Sequence, residues 1–590
     1  MAEGQAWILT LRHSVFRCAV ALFPFVLVVT FARGEEPATV SGVQLMWDQK
    51  IPMRDGIELS SVIWKPRGLK SPLPAIVTIT PYGAARTELQ AMFFAHHGYV
   101  VVSVDSRGRG DSGGTFRPFR DDGQDGYDVI EWVARQPWCN GKVGSWGGSY
   151  AGFIQWATMK YRPSHLATAI PFASGGVISD IPMANNIVPA YLLTWLALVS
   201  GKTPNNDLAN DDDFWDDAFR EVVREGKSFR QLDEVVGNTS TAWKEMLDHP
   251  TVDNYWLSMI PGPEDYAKID IPILTITGHY DMDQGGAMRY YREFMSYASA
   301  DAKAKHYLII GPWDHHGTLF NKDQVGSVKF GPNSVLDMIQ IHLAWYNWML
   351  KGEELPRFLK DKVAYYIAPS DEWKYASSLS GISNGERVLF LGSDRNRSHD
   401  AYHAGYLSDK PAENDAPDSY ESDPRNLKAF VEEKNPELYF YTDPLSESLT
   451  ISGVVTLEAY IAIDQKDADF LVRLEEVQAD GTAIPLADDK QRARYRKSLL
   501  QEELIEPNQV NKYVFATFRL FSRQIAKGSR LRLVFSTLNS PDYQRNVNTG
   551  GRISDDTIKD GKPVKVMLYH NSLYPSRLLL PVLSVPEDKH

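Results

Sequence analysis

Lys142-Val143-Gly144-Ser145-Trp146-Gly147-Gly148-Ser149-Tyr150-Ala151-Gly152 is the stretch on which the reading of this 590-residue chain turns. Lys142 to Trp146 predicts a strand, and Phe153 to Met159 predicts a helix. Between them one serine stands among small residues. A strand that turns this sharply into a helix strains the serine's backbone and crowds its flanks. Small residues are therefore wanted two before it, Gly147, and two after it, Ala151. The pattern predicts a nucleophile elbow, with alanine where the second glycine usually stands.

Two later segments extend the pattern. Ile273 to Thr277 reads as a strand buried on both faces and leads into Gly278-His279-Tyr280-Asp281. Tyr307 to Ile310 reads the same way and leads into Gly311-Pro312-Trp313-Asp314-His315-His316. A serine, an aspartate and a histidine thus each follow a strand's carboxyl end, in the chain order of α/β-hydrolases. In open parallel sheets the reactive crevice lies outside those ends. A serine hydroxyl needs a base to take its proton as it attacks, and His315 is the candidate. Asp281 would orient the imidazole and stabilise the imidazolium. Asp283 competes with Asp281, which sits nearer its strand end. His316 and His279 compete with His315. The oxyanion needs donors already in place. The backbone N–H of Tyr150 is one. The strand Ala75 to Thr80 leads into Pro81-Tyr82-Gly83, and with no His-Gly-Gly run there, the Tyr82 hydroxyl is the second candidate.

Together these segments resemble the serine hydrolase family that holds bacterial cocaine esterase, α-amino-acid ester hydrolases and X-Pro dipeptidyl peptidases. The matching segments are Ser149-Tyr150, Gly278 to Asp281, Gly311 to His315 and Pro81-Tyr82. Arg492 to Arg496, Asn546 to Gly550 and Tyr569 to Ser572 resemble that family's β-rich C-terminal domain. The resemblance implies Ser149, Asp281 and His315 as a triad, and Tyr82 with Tyr150 as the oxyanion hole. It also implies a carboxylate cluster where a free α-amino group is bound. Asp283 supplies one acid for such a cluster, but its neighbour Gln284 is neutral. No cofactor or metal is called for.

A chain of this length exceeds one core. The expected fold class is α/β: an α/β-hydrolase domain with an inserted helical cap and a C-terminal jelly-roll β-sandwich. The expected organisation is a signal peptide over residues 1–34, hydrolase domain over 35–176 and 265–380, cap over 177–264 and sandwich over 381–590. Trp47 to Trp64 predicts an opening hairpin with its turn at Arg54-Asp55-Gly56, and Tyr99 to Asp105 a central strand. The Gly-rich loop Ser106 to Gly114 lacks the ending of a P-loop and reads as a border of the site. Tyr127, Ile130, Val133 and Ala134 share one face of a helix. In the cap, Pro189 to Val199 predicts an apolar helix. The run Asp211 to Asp217 reads as a solvated helix start, where carboxylates favour the dipole, rather than a cation site. Beyond Ser380, Arg387 to Leu391, Gly453 to Ile463, Phe470 to Glu475, Tyr513 to Leu520 and Leu531 to Ser536 predict short strands.

Arg12, His13 and Arg17 precede the apolar run Cys18 to Phe31, with small residues Ala32 and Gly34 behind it. That is the layout of a secretory leader, cleaved to leave Glu35 first. It predicts an exported protein, periplasmic or secreted, with no membrane association after cleavage. Cys139 is then the mature chain's one cysteine, a packed thiol after Trp138 at a helix end, so internal disulfides are excluded. Asn238 and Asn396 head glycosylation-type triplets. A net charge of -13 argues against nucleic acid as a partner. A homo-oligomer is left open. The expected activity is cleavage of a small-molecule ester or amide through an acyl-enzyme, with an α-amino-acid ester hydrolase or acylase favoured over an X-Pro dipeptidyl peptidase. The reading from another class is a catalytically silent protein that binds a carbohydrate or partner.

Overall fold

The computed structural model of the protein describes residues 42–394, 398–400, 402–413 and 415–584. The leader lies outside the described residues, as do Asn396 and Arg397 of the second glycosylation-type triplet.

A ten-stranded sheet forms the first layer. Its opening hairpin pairs β1 (Val43–Pro52) with β2 (Glu58–Pro66). Then come β3 (Leu73–Thr80), β4 (Val100–Asp105), β5 (Cys139–Ser149), β6 (Leu166–Ser174), β7 (Ile273–Tyr280) and β8 (His306–Asp314). The spatial order is β1-β2-β4-β3-β5-β6-β7-β8, continued by Val363–Ile367 and Glu372–Ala376. From β4 to β8 every neighbouring pair is parallel. Helices cover both faces, so the central strands are buried on both sides. Val100, Val102 and Val104 point into one core with Val129, Ile130 and Val133 of α2 (Asp122–Ala134). Val101 points the other way, into a core with Phe94 of α1 (Glu88–His96) and with Leu343, Trp345 and Tyr346.

Strand ends differ from the sequence expectation. β7 and β8 do not stop at Thr277 and Ile310. Their pairing continues through Gly278↔Gly311 to Tyr280↔Asp314. Backbone hydrogen bonding carries the strands past the apolar runs that mark them. Cys139 opens β5 rather than closing a helix, and burial raises its thiol pKa.

Between β6 and β7 the chain leaves the sheet and builds a helical cap. α4 (Tyr191–Leu198) is buried along nearly its whole length. In the helix Asp212–Arg224, Asp211 is the N-cap, accepting from the Phe214 N–H at 3.0 Å. Trp215, Phe219, Val222 and Val223 form its buried face. The acidic run is thus a helix start, as its dipole favours.

The C-terminal part is a β-sandwich built from a thirteen-stranded, mainly antiparallel sheet. Its strands alternate. Leu457, Ala459, Ile461 and Ile463 enter the core beside Phe470, Val472, Leu474, Leu533 and Phe535. The stretch from Tyr513 to Leu520 is not one strand. Pairing ends at Phe515 and resumes at Phe521. Between them the Thr517 N–H donates to Asp489 (2.8 Å), and both backbone groups of Leu520 are bound by Gln284. Those tertiary bonds replace the ladder. Among the described residues no helix is long and apolar enough to cross a membrane.

Candidate active site

Ser149 is the last residue of β5 and the N-cap of α3 (Tyr150–Tyr161). Its φ of 58° and ψ of -127° are unusual for a residue with a side chain. Such dihedrals cost about 1–3 kcal/mol and persist only where packing enforces them. A Cβ on Gly147 would stand 2.7 Å from that of Ala151, and one on Gly148 only 2.2 Å from the Phe172 ring. The turn therefore leaves no room for side chains at either place, and it holds Ser149 on the lining of a cleft.

His315 lines the same cleft, one residue beyond β8. Its Nδ1 lies 2.9 Å from Asp281 Oδ1 and 3.8 Å from Asp283 Oδ2. An ionised carboxylate only accepts, so Nδ1 carries the proton and Nε2 is the basic nitrogen. Asp281 is fully buried. Thr277 Oγ1 donates to its Oδ2 (2.9 Å), and the Asp283 N–H donates to its Oδ1 (3.0 Å). Burial pulls the His315 pKa down, but the charges of Asp283 and Asp281 with the Asp281 hydrogen bond outweigh it and raise it. His316 and His279 make no such contact with Asp281. Burial lowers both their pKa values.

Tyr82 follows β3 and faces Ser149 across the cleft. Trp195 Nε1, in α4, donates to the Tyr82 hydroxyl at 3.0 Å, and the Ser149 side chain is its other hydrogen-bond partner. Burial pushes the phenol up to about 12, so it keeps its proton. An indole N–H can only donate. It occupies a lone pair of the Tyr82 oxygen and leaves the phenolic proton for the cleft. Tyr150 opens α3, so its N–H has no intrahelical acceptor. Its own hydroxyl donates to Asp122 Oδ2 (2.7 Å) and accepts from the Phe119 N–H (2.6 Å), anchoring the first turn.

Asp283 is buried on the cleft wall, and desolvation raises its carboxyl pKa. Asp180, half-buried, stands near enough for the two charges to oppose each other. It accepts from the N–H groups of Gly176 and Ile181, each at 2.7 Å. Gln284 points away from the cleft. Its Nε2 donates to Gly278 O and Leu520 O, each at 2.8 Å, and its Oε1 accepts from the Leu520 N–H.

Two family models match the chain. The X-Pro dipeptidyl-peptidase (S15 family) model covers residues 55–317. The X-Pro dipeptidyl-peptidase C-terminal non-catalytic domain model covers residues 359–579. The hydrolase part of the chain, residues 55–317, belongs to the S15 family. The cocaine esterase of Rhodococcus sp. (strain MB1 Bresler) is 26% identical to it, over 90% of this chain and 97% of that one. Among solved structures, an aminopeptidase from a marine sediment Thaumarchaeota archaeon matches with a TM-score of 0.78 at 20% identity. It spans 94% of this chain and 99% of its own. An α-amino acid ester hydrolase matches with a TM-score of 0.77 at 21% identity, over 95% and 100%. These two likenesses are of fold. By the family of its hydrolase part the chain is a serine hydrolase.

Sequence reasoning passed over several residues of this S15 site. Trp195 lay inside an apolar helical run with nothing to mark its indole. Asp180 lay in an irregular stretch. Phe119, Tyr191, Ile181 and Met282 line the cleft from loops and the cap edge. None of them follows a period that a linear reading detects.

Proposed function

We propose that the protein is a serine ester hydrolase in which Ser149 attacks an acyl carbonyl with His315 as its base. Asp281 holds the imidazole, and the Tyr82 hydroxyl and Tyr150 N–H receive the oxyanion. The acyl-enzyme then forms as His315 returns its proton to the leaving group, and water repeats the sequence. The observation that carries this reading is the meeting in one cleft of Ser149, a Tyr82 hydroxyl oriented by Trp195, and a His315 anchored on Asp281 at 2.9 Å. A fluorophosphonate probe tests it. Labelling of wild type but not of Ser149→Ala is expected. Equal labelling of both would sink the reading by placing the nucleophile elsewhere, and labelling of neither would favour a silent binding protein.

Within that class we favour α-amino-acid esters or amides over X-Pro peptides, because the carboxylate of Asp283 lines the cleft beside His315 and can meet an ammonium group. Asp283→Asn should raise KM for an amino-acid ester and leave KM for its deaminated analogue unchanged. Turnover of an Ala-Pro anilide alone would reverse the preference. The leader-like N-terminus supports export, and a mature protein beginning at Glu35 is the expected result of N-terminal sequencing.

A further inference from the structure

A second, partly open hollow lies between the cap helix Asp212–Arg224 and the connections of the β-sandwich. It shares no lining residue with the cleft at Ser149. Phe219, Val222, Val223 and Ile558 make its walls apolar. One wall also carries Arg545, which is only 8% exposed. Its guanidinium lies over the Phe430 ring, 4.3 Å from the centroid. All three guanidinium nitrogens are buried, and none has a hydrogen-bond partner among the described residues.

Nearby charges are otherwise engaged. Asp423, whose field favours the ionised arginine, is paired with Arg425 at 2.9 Å. Asp556, on the cavity wall, accepts from Thr549. Lys227, also on the wall, is paired with Glu225 at 2.6 Å. Burial lowers the Arg545 pKa to about 10, against the pull of Asp423, so the side chain stays charged at neutral pH.

A buried ion without a partner is among the costliest placements in a fold. Here the fold pins it from both sides. The Gln544 N–H donates to Val188 O (2.8 Å), and Asn546 Nδ2 donates to Asp467 and Asp469 (each 2.8 Å). A planar, forked donor beside an apolar hollow matches a ligand of the same divided character. An inorganic anion would leave the apolar walls unused. A neutral apolar molecule would leave the guanidinium unmet.

We propose that this cavity is a second ligand site for an apolar organic carboxylate, its head on Arg545 and its body between the cap helix and the sandwich. Rotation of the arginine's terminal bonds brings the guanidinium edge to the incoming head group.

Octanoate and octanamide, titrated into the full-length protein by calorimetry, test the site. Octanoate should bind at least about tenfold more tightly, since a charged pair replaces a neutral one, and should raise the melting temperature. Val223→Trp fills the hollow and should abolish binding of both. Arg545→Gln should erase the preference for acid over amide. Without ligand it should melt no lower than wild type, because an unpaired charge is gone. Equal binding of the two probes, binding of neither, or octanoate binding that survives Val223→Trp overturns the site. A sharp fall in melting temperature for Arg545→Gln, or its failure to fold, also overturns it by marking the guanidinium as a structural tie. The acid-against-amide comparison needs wild type alone, so it stands if a variant is lost.

Discussion

Tyr82 has two hydrogen-bond partners with different consequences. Trp195 can only donate to it, and Ser149 is where its own proton is wanted. Removing the hydroxyl in Tyr82→Phe should lower kcat about 10²–10³-fold, the usual cost of one oxyanion donor. Trp195→Phe keeps the hydroxyl but frees it to turn. It should lower kcat about 5- to 10-fold, as for one hydrogen bond, with KM for a small ester little changed. Equal losses in the two variants would deny Trp195 its orienting role. His315 sets the pH response. The imidazole works as a base only when neutral, and its pKa in the fold is raised by Asp283 and Asp281 against the effect of burial. Activity should therefore rise with pH through a limb above the ordinary imidazole value of about 6.5. Asp283→Asn removes one of the raising charges and should move that limb towards lower pH. A limb that stays in place in a pH profile of kcat/KM would assign the shift to Asp281 and Asp314.

At the scale of elements, the elbow is a strand, a strained turn and a helix that must agree in shape. Gly148 lies against the Phe172 ring on the neighbouring strand β6, with no room for a methyl group. Gly148→Ala should destabilise the protein by about 1–3 kcal/mol through overpacking, measured by denaturant unfolding. It should also depress activity by moving Ser149. Retained stability and activity would mean that β6 yields easily. The same elements show what a linear reading detects. β3, β4 and the apolar cores of β7 and β8 were legible because β-branched runs mark strands buried on both faces. Their last residues were not, because Gly278-His279-Tyr280 and Gly311 to Asp314 lack that composition and are held by pairing alone. The break within Tyr513 to Leu520 was hidden for a related reason. Alternation there continues past the point where Asp489 and Gln284 take the backbone groups.

At the scale of the whole molecule, the β-sandwich is joined to the floor of the cleft. Gln284 follows Asp283 directly and bridges Gly278 O to both backbone groups of Leu520, 236 residues away in sequence. Gln284→Leu would leave these buried groups unmatched, at about 1–3 kcal/mol each. Its unfolding midpoint should fall, and kcat should fall with it because the Asp281–Asp283 turn loses its support. Lower stability with unchanged kcat would make the bridge purely structural. Further ties join cap and sandwich. Arg492, paired with Asp469 at 2.9 Å, donates to Asn186 O at 2.6 Å, and the Ala190 N–H donates to Asp542 O at 2.8 Å.

The sequence alone determined the class of fold, the serine at a strained turn, and the order in which its candidate partners follow along the chain. Those features are written in composition and period, which neighbouring residues express wherever the chain lies. Tertiary structure alone decided that Trp195 caps the Tyr82 oxygen and that Gln284 serves the sandwich instead of the cleft. Each is a direction taken by a single side chain. Such directions have no period and are set by contacts between residues distant in sequence, which exist only once the layers have packed.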